Sequence, residues 1–256
     1  MIHALAPIFA GELAAYAETL VLADDPRPAI AGTDLIDPSV LGDIMRMAAA
    51  HIGDGDRRAQ ISLWCIDYVH VLMPVAVVAN LVLNRQMPLK LEDIAVILDE
   101  EGMPEAIRLP HDGVICDTQD AFATFAPMIR GNLQPLIEAW SAWSGIAPRV
   151  LWTNAANLYE AILRNLAQLP NLPHGSIAEG ERLITSSHWP DGSRNSFRRP
   201  VIYRPDHPTT QRWRRICCVR YLIPCYDYCS NCPHLLAEFG SAPQRGHAAG
   251  RDPRAG

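Results

Sequence analysis

Residues 58–85 read RAQISLWCIDYVHVLMPVAVVANLVLNR, a run whose apolar side chains cover nearly every side of a helical wheel. A helix that is apolar all round belongs either at the centre of a fold or in a membrane. Its most apolar part, residues 68–85, is shorter than the roughly 20 residues that cross a bilayer, and His70, Pro74 and Asn80 interrupt it. The expectation is a buried central helix, bent or broken at Pro74, with the rest of the chain wrapped around it. No transmembrane segment is expected, although a peripheral association with a membrane face stays open.

The flanks fit that arrangement. Upstream, DPSVLGDIMRMAAAHI (37–52) offers Asp37 as an N-cap and Pro38 at the first helical position. GELAAYAETLVLA (11–23) also has helical spacing. The opening MIHALAPIFAGELAAYAETL lacks a basic start and carries Glu12 and Glu18, so it reads as a first helix rather than an export signal.

Downstream the period changes. In LEDIAVILDEEGMPEAIRLP (91–110), two runs rich in Ile, Val and Leu flank DEEG, and Gly102 suits the positive φ of a tight loop, which predicts a β-hairpin over 94–109. Helical spacing returns over 120–145, interrupted near Gly131, and over 148–169. From residue 170 Pro and Gly increase, and 186–215 reads as loop with one short strand near Val201.

The predicted fold is α+β, predominantly α-helical, with a small sheet. It has a mainly helical body (1–193), an arginine-rich connector with a C-terminal cysteine module (194–239), and a disordered tail (240–256) of small and polar residues. A chain of 256 residues is long enough for one large domain with a small appendage.

Charge is uneven. Residues 1–193 hold 11 basic and 24 acidic residues, whereas 194–220 hold eight arginines against Asp206 alone. The net charge of −6 and the acidic body do not favour nucleic acid as a partner. The arginine-rich stretch either steers an acidic protein partner or pairs with the body. Arg212, Arg214, Arg215 and Arg220 are also placed to oppose negative charge at the adjacent cysteines.

Five of the seven cysteines fall in CCVRYLIPCYDYCSNC (217–232). In a chain read as unexported, and hence in a reducing compartment, such a cluster is more often a metal site than a disulfide framework. Cys65 and Cys116, in apolar runs far away, read as small buried hydrophobes. Four sulfurs suffice for tetrahedral zinc or for a [2Fe-2S] cluster. Cys229 and Cys232 have the two-residue spacing common in zinc modules, but Cys217 and Cys218 are adjacent. Adjacent side chains on extended backbone point to opposite sides, so both thiols reach one centre only if the chain bends there. That tilts the choice towards iron–sulfur and leaves both open.

The spacing C-C-x10-C-x2-C, followed by Pro233, resembles the C-terminal signature of the ferric siderophore reductase (FhuF) family, whose cysteines hold a [2Fe-2S] cluster. Residues 50–235 are more loosely similar to that family's body. The resemblance implies a cytoplasmic iron–sulfur oxidoreductase that reduces siderophore-bound Fe(III), of hydroxamate type, to Fe(II). It names Cys217, Cys218, Cys229 and Cys232 as ligands. Cys225, inside the spacer, is a fifth thiol that is either a bystander or a replacement ligand.

No G-x-G-x-x-G follows a strand, so electrons are expected from a ferredoxin, a flavodoxin or their reductase rather than a bound nicotinamide or flavin. The alternative is a binding module with a structural zinc site. Nothing points to hydrolysis, and no two histidines share a helical face at metal-binding spacing. His234 reads as a donor to the cluster or a solvent-facing residue, and Trp140, Trp143 and Trp152 as packing residues. Asn154 and Asn157 either line a pocket or make buried hydrogen bonds.

Overall fold

The computed structural model describes residues 2–9, 11–116, 120–168 and 174–239, so the tail expected over 240–256 lies outside the described residues. The start of the chain is not the α-helix expected. It forms two 3₁₀ helices, His3–Ile8 and Gly11–Tyr16, and then a strand, β1 (Leu20–Leu22). The spacing of Ile2, Leu5 and Ile8 suits a period of three as well as 3.6, and Pro7 removes an N–H that a longer helix would use.

After the short strand β2 (Ile30–Ala31) comes α1 (Pro38–Ile52), capped as expected: the Asp37 carboxylate accepts from the Ser39 and Val40 amides. Then α2 (Arg57–Leu83) runs through the middle of the molecule. It does not break at Pro74. The ladder bond that proline removes is outweighed by packing on every side, with Leu72, Met73 and Val75 all 1% exposed or less. By length and composition α2 could cross a membrane, but 67% of its most apolar window is buried inside this protein.

Next come β3 (Arg85–Gln86), β4 (Ala95–Leu98), β5 (Pro104–Leu109) and β6 (Val114–Ile115). Strands β4 and β5 are the predicted hairpin, with Val96 opposite Ile107. Gly102 has φ +78°, and a Cβ there would stand 2.9 Å from the Met47 Cβ of α1, so both conformation and space call for glycine. The hairpin is the middle of a four-stranded sheet, β1-β5-β4-β2, in which β1 joins parallel and β2 antiparallel. A two-stranded sheet pairs β3 with β6.

Helices α3 (Ala121–Met128) and α4 (Gln134–Ser144) are joined by a π-helical turn, Ile129–Leu133, at the interruption expected near Gly131. The α5 helix (Pro148–Leu166) packs along α2. Trp64 and Tyr68 of α2 and Trp140 of α4 form the aromatic centre, each with its polar atom satisfied by Gly102 O, Asn132 Oδ1 and Leu35 O respectively.

The sequence reading missed α6 (His174–Thr185) because of its glycines. Gly180 is a contact rather than a breaker: a Cβ there would come within 2.9 Å of Leu163 on α5. The expected strand near Val201 is β7 (Val201–Tyr203). Its antiparallel partner β8 (Arg212–Arg214) was not anticipated, its alternation being masked by arginine. A short α7 (Pro233–Phe239) follows the cysteines. The architecture is α+β with helix dominating, and Ile223 and Tyr226 of the cysteine segment join the same hydrophobic core as α2.

Candidate metal centre

The adjacent cysteines pose a geometric problem that the backbone solves at Val219. This residue has φ +57° and ψ 14°, a left-handed conformation that β-branched residues rarely adopt. The bend follows directly on Cys218 and opens a 3₁₀ turn, Arg220–Leu222. The second pair is closed by a tight turn in which the Cys232 amide donates to the Cys229 carbonyl at 3.0 Å. The Arg214 amide donates to Asn231 O at 2.9 Å, tying β8 to that turn.

The four motif thiols meet. Cys217 Sγ lies 3.6 Å from Cys232 Sγ, and Cys217 interacts with Cys218, Cys218 with Cys229, and Cys229 with Cys232, so that the four form a ring. Cys218 and Cys232 are buried, and Cys217 and Cys229 are half-buried. Within the ring, hydrogen bonds from Cys217 and Cys229 hold the Cys218 and Cys232 thiols far below their usual range. The same bonds push Cys217 and Cys229 up.

Backbone amides point at the same sulfurs. Val219 N–H donates to Cys217 Sγ at 3.3 Å, Arg220 N–H to Cys218 and His234 N–H to Cys232. Among the described residues, no three His, Cys, Asp or Glu side chains already enclose a position for an ion. The thiols close on one another instead. The donor set itself, four soft sulfurs on two turns with amides aimed at them, fits a thiolate-held centre such as [2Fe-2S].

Cys225 stands apart. It is exposed, its Sγ faces the Ile52 carbonyl at 3.8 Å, and it packs against Gly53. Cys225→Ser is therefore expected to leave the visible spectrum of the metal-loaded protein unchanged; a lost or shifted spectrum would mean that Cys225 is a ligand. Cys65 is fully buried, and burial pushes its thiol up to about 12, as an inert core residue requires. Cys116 is only half-buried, at the end of the β3–β6 pair, not in the core as expected.

A buried polar relay holds the ring's backbone. Ser62 of α2 donates to the Cys218 carbonyl at 2.7 Å, Asn154 of α5 donates to Ser62 Oγ at 3.0 Å, and Arg214 of β8 donates to Asn154 Oδ1. Arg214 is 6% exposed, and no carboxylate among the described residues forms an ion pair with it. Its charge acts instead on Cys218, whose thiolate it favours. A buried cation without a carboxylate is costly unless something else supplies the negative charge.

The remaining arginines divide. Arg212 forms a buried ion pair with Glu160, which also accepts from the Tyr203 hydroxyl. Arg220 donates to the Asp227 carbonyl at 2.8 Å. Arg215 is exposed and lines a cavity of about 390 Å³ with Trp152. Trp140 and Trp143 pack as expected, Trp143 under the Arg57 guanidinium, whereas Trp152 also reaches that cavity. Asn154 makes buried hydrogen bonds, and the His234 ring stacks on Tyr228. Sequence reasoning did not single out Ser62 or Arg149, because neither belongs to a local pattern.

Comparison with known proteins places this geometry in context. A protein family described as "Ferric iron reductase FhuF-like transporter" matches residues 62–206, more than half of the chain, and that match ends before the cysteines. The ferric siderophore reductase of Escherichia coli (strain K12) is 23% identical over 223 residues, covering 82% of this chain and 81% of that protein. Two structures of aerobactin synthetase IucA from Klebsiella pneumoniae, one with ATP bound, superpose with a TM-score of 0.53 at 10% identity, a likeness of fold alone. They cover 63% and 72% of this chain, which spans about a third of their length.

Proposed function

Because the chain belongs to the family of ferric iron reductase FhuF-like transporters, we propose that it reduces siderophore-bound Fe(III) to Fe(II) in the cytoplasm, with a [2Fe-2S] cluster held by Cys217, Cys218, Cys229 and Cys232. The observation that carries this reading is that Cys217 and Cys218 come together with Cys229 and Cys232 across the ten-residue spacer. The similarity to a protein named ferric siderophore reductase supports the choice of substrate.

Bound there, such a cluster supplies one electron at a time. One electron is enough for the reaction. Hydroxamate oxygens are hard donors that grip Fe(III) and hold the softer Fe(II) poorly, so reduction becomes release. The electron comes from a one-electron carrier, a ferredoxin, a flavodoxin or their reductase, and passes to the ferric substrate.

The chain's own residues set the conditions. The amides of Val219, Arg220 and His234 donate to the sulfurs and favour their negative charge. Arg214 brings a buried positive charge to the same side, and Ser62 and Asn154 fix the Cys218 carbonyl, next to the bend at Val219.

The test is a single turnover. Protein reduced by one equivalent without oxygen is mixed with a ferric hydroxamate, and a ferrous-specific chelator traps the product. The expected result is one Fe(II) for each electron the protein loses. Reduced protein that keeps its electron in the presence of the chelate would reject the assignment.

A further inference from the structure

We propose that the cavity between the first turns of α5 and segments 196–200 and 215–216 docks the ferric chelate and selects chelates of net negative charge. This rests on the reductase reading above and adds to it the class of substrate.

The cavity, about 390 Å³, is lined by four arginines, Arg149, Arg198, Arg199 and Arg215, with Trp152 beside them. None of the four forms an ion pair with a carboxylate among the described residues, and the side-chain hydrogen bond recorded for Arg198 is a long 3.4 Å contact to the Thr185 carbonyl. The other arginines divide: Arg57 and Arg214 likewise form no ion pair among the described residues. Arg27, Arg46, Arg58, Arg130, Arg182 and Arg212 each reach a carboxylate, in a protein whose acids outnumber its bases. Four unneutralised guanidinium groups around one concavity repel each other, and an anionic occupant relieves that repulsion.

The backbone holds this array in place. Arg199 has φ +49°, a left-handed conformation, and its amide is fixed to the Ile184 carbonyl at 2.8 Å. The Arg215 amide donates to Pro200 O at 2.9 Å, closing the opposite wall. The cavity also lies next to the thiol ring. Ile216 lines it and immediately precedes Cys217, and Thr153 lines it beside Asn154 of the buried relay.

There is room for more than one chelating arm. A second cavity of about 350 Å³ shares Trp152 and Ser196 with the first and is bounded by the π-helical turn at Ile129. Guanidinium forks match carboxylates in bidentate fashion, and an indole offers an apolar face to a ligand backbone. The chemistry that fits is a ferric hydroxamate that also carries free carboxylates.

Gallium(III) complexes test this without electron transfer, because gallium is trivalent and redox-inert. Two probes are compared by calorimetry on the full chain: the complex of a citrate-derived dihydroxamate, which is anionic, and that of a linear trihydroxamate with a pendant ammonium, which is cationic. The anionic complex is expected to bind at least about tenfold tighter, with the gap narrowing as salt is raised. The double substitution Arg198→Gln, Arg215→Gln is expected to weaken the anionic complex about tenfold and leave the cationic one unchanged. These arginines are exposed, so the variant's melting temperature should match the parent's. Equal binding of the two complexes, or an anionic affinity indifferent to the double substitution, overturns the cavity's role alone. If neither complex binds the parent protein, the siderophore reading fails with it.

Discussion

Under the proposed function, Cys229→Ser is expected to yield a folded protein that holds no iron centre, with ferric reduction at background. The Cys229 thiol meets both Cys218 and Cys232, so it joins the two halves of the ring. Serine keeps the shape but replaces a soft sulfur with a hard, poorly ionised hydroxyl, which binds iron–sulfur centres weakly. Because the side chain is only half-buried, the cost to the apo fold should stay within about 1 kcal/mol. The visible spectrum and the single-turnover yield should disappear together while circular dichroism is retained. Normal reduction by this variant, with its cluster spectrum intact, would falsify the ligand set. Cys225→Ser, unchanged in both respects, is the matched control.

Arg214→Met should separate the apo from the loaded protein. In the apo protein Arg214 is a buried cation with no carboxylate partner among the described residues, so its desolvation is poorly repaid. Methionine fills similar space without charge and removes one donor from Asn154 Oδ1 and a long one from the Ile216 carbonyl, so the apo melting temperature should move by no more than a few degrees. In the loaded protein the same substitution removes positive charge beside Cys218. Reduction adds an electron, so removing a nearby cation lowers the potential, by roughly 60–120 mV if the effect is a ten- to hundredfold change in the one-electron equilibrium. Potentiometry with EPR detection measures this directly. An unchanged potential, with the cluster fully retained, would reduce Arg214 to a packing residue.

The parts of this molecule legible in its sequence are those whose signal is local. The apolar run of α2, the cap at Asp37 and the period-two hairpin with Gly102 each declare themselves within a few residues. The cysteine spacing does the same. Its one puzzle, the adjacent pair, required a bend, and the structure puts it at Val219.

What could not be read depends on contacts between distant segments. Strands β1 and β2 are too short to show a period and exist because the hairpin offers them edges. Gly180 looks like a breaker until Leu163 is seen against it. Ser62, Asn154 and Arg214 lie 60 or more residues apart in sequence and become a relay only when α2, α5 and β8 pack together. The arginine cluster was legible as a charge anomaly, but not its division. Arg212 turns inward to Glu160, Arg214 reaches the relay, and Arg198, Arg199 and Arg215 join the distant Arg149 around a cavity.

The most direct test of the central claim is the visible and EPR spectrum of protein purified without oxygen, with iron, zinc and acid-labile sulfide counted on the same sample. The proposed function predicts a reddish-brown protein with two irons and two sulfides per chain and an EPR signal that appears on one-electron reduction. A colourless protein with one zinc and no sulfide, expressed with ample iron, would contradict it and make the four cysteines a structural site.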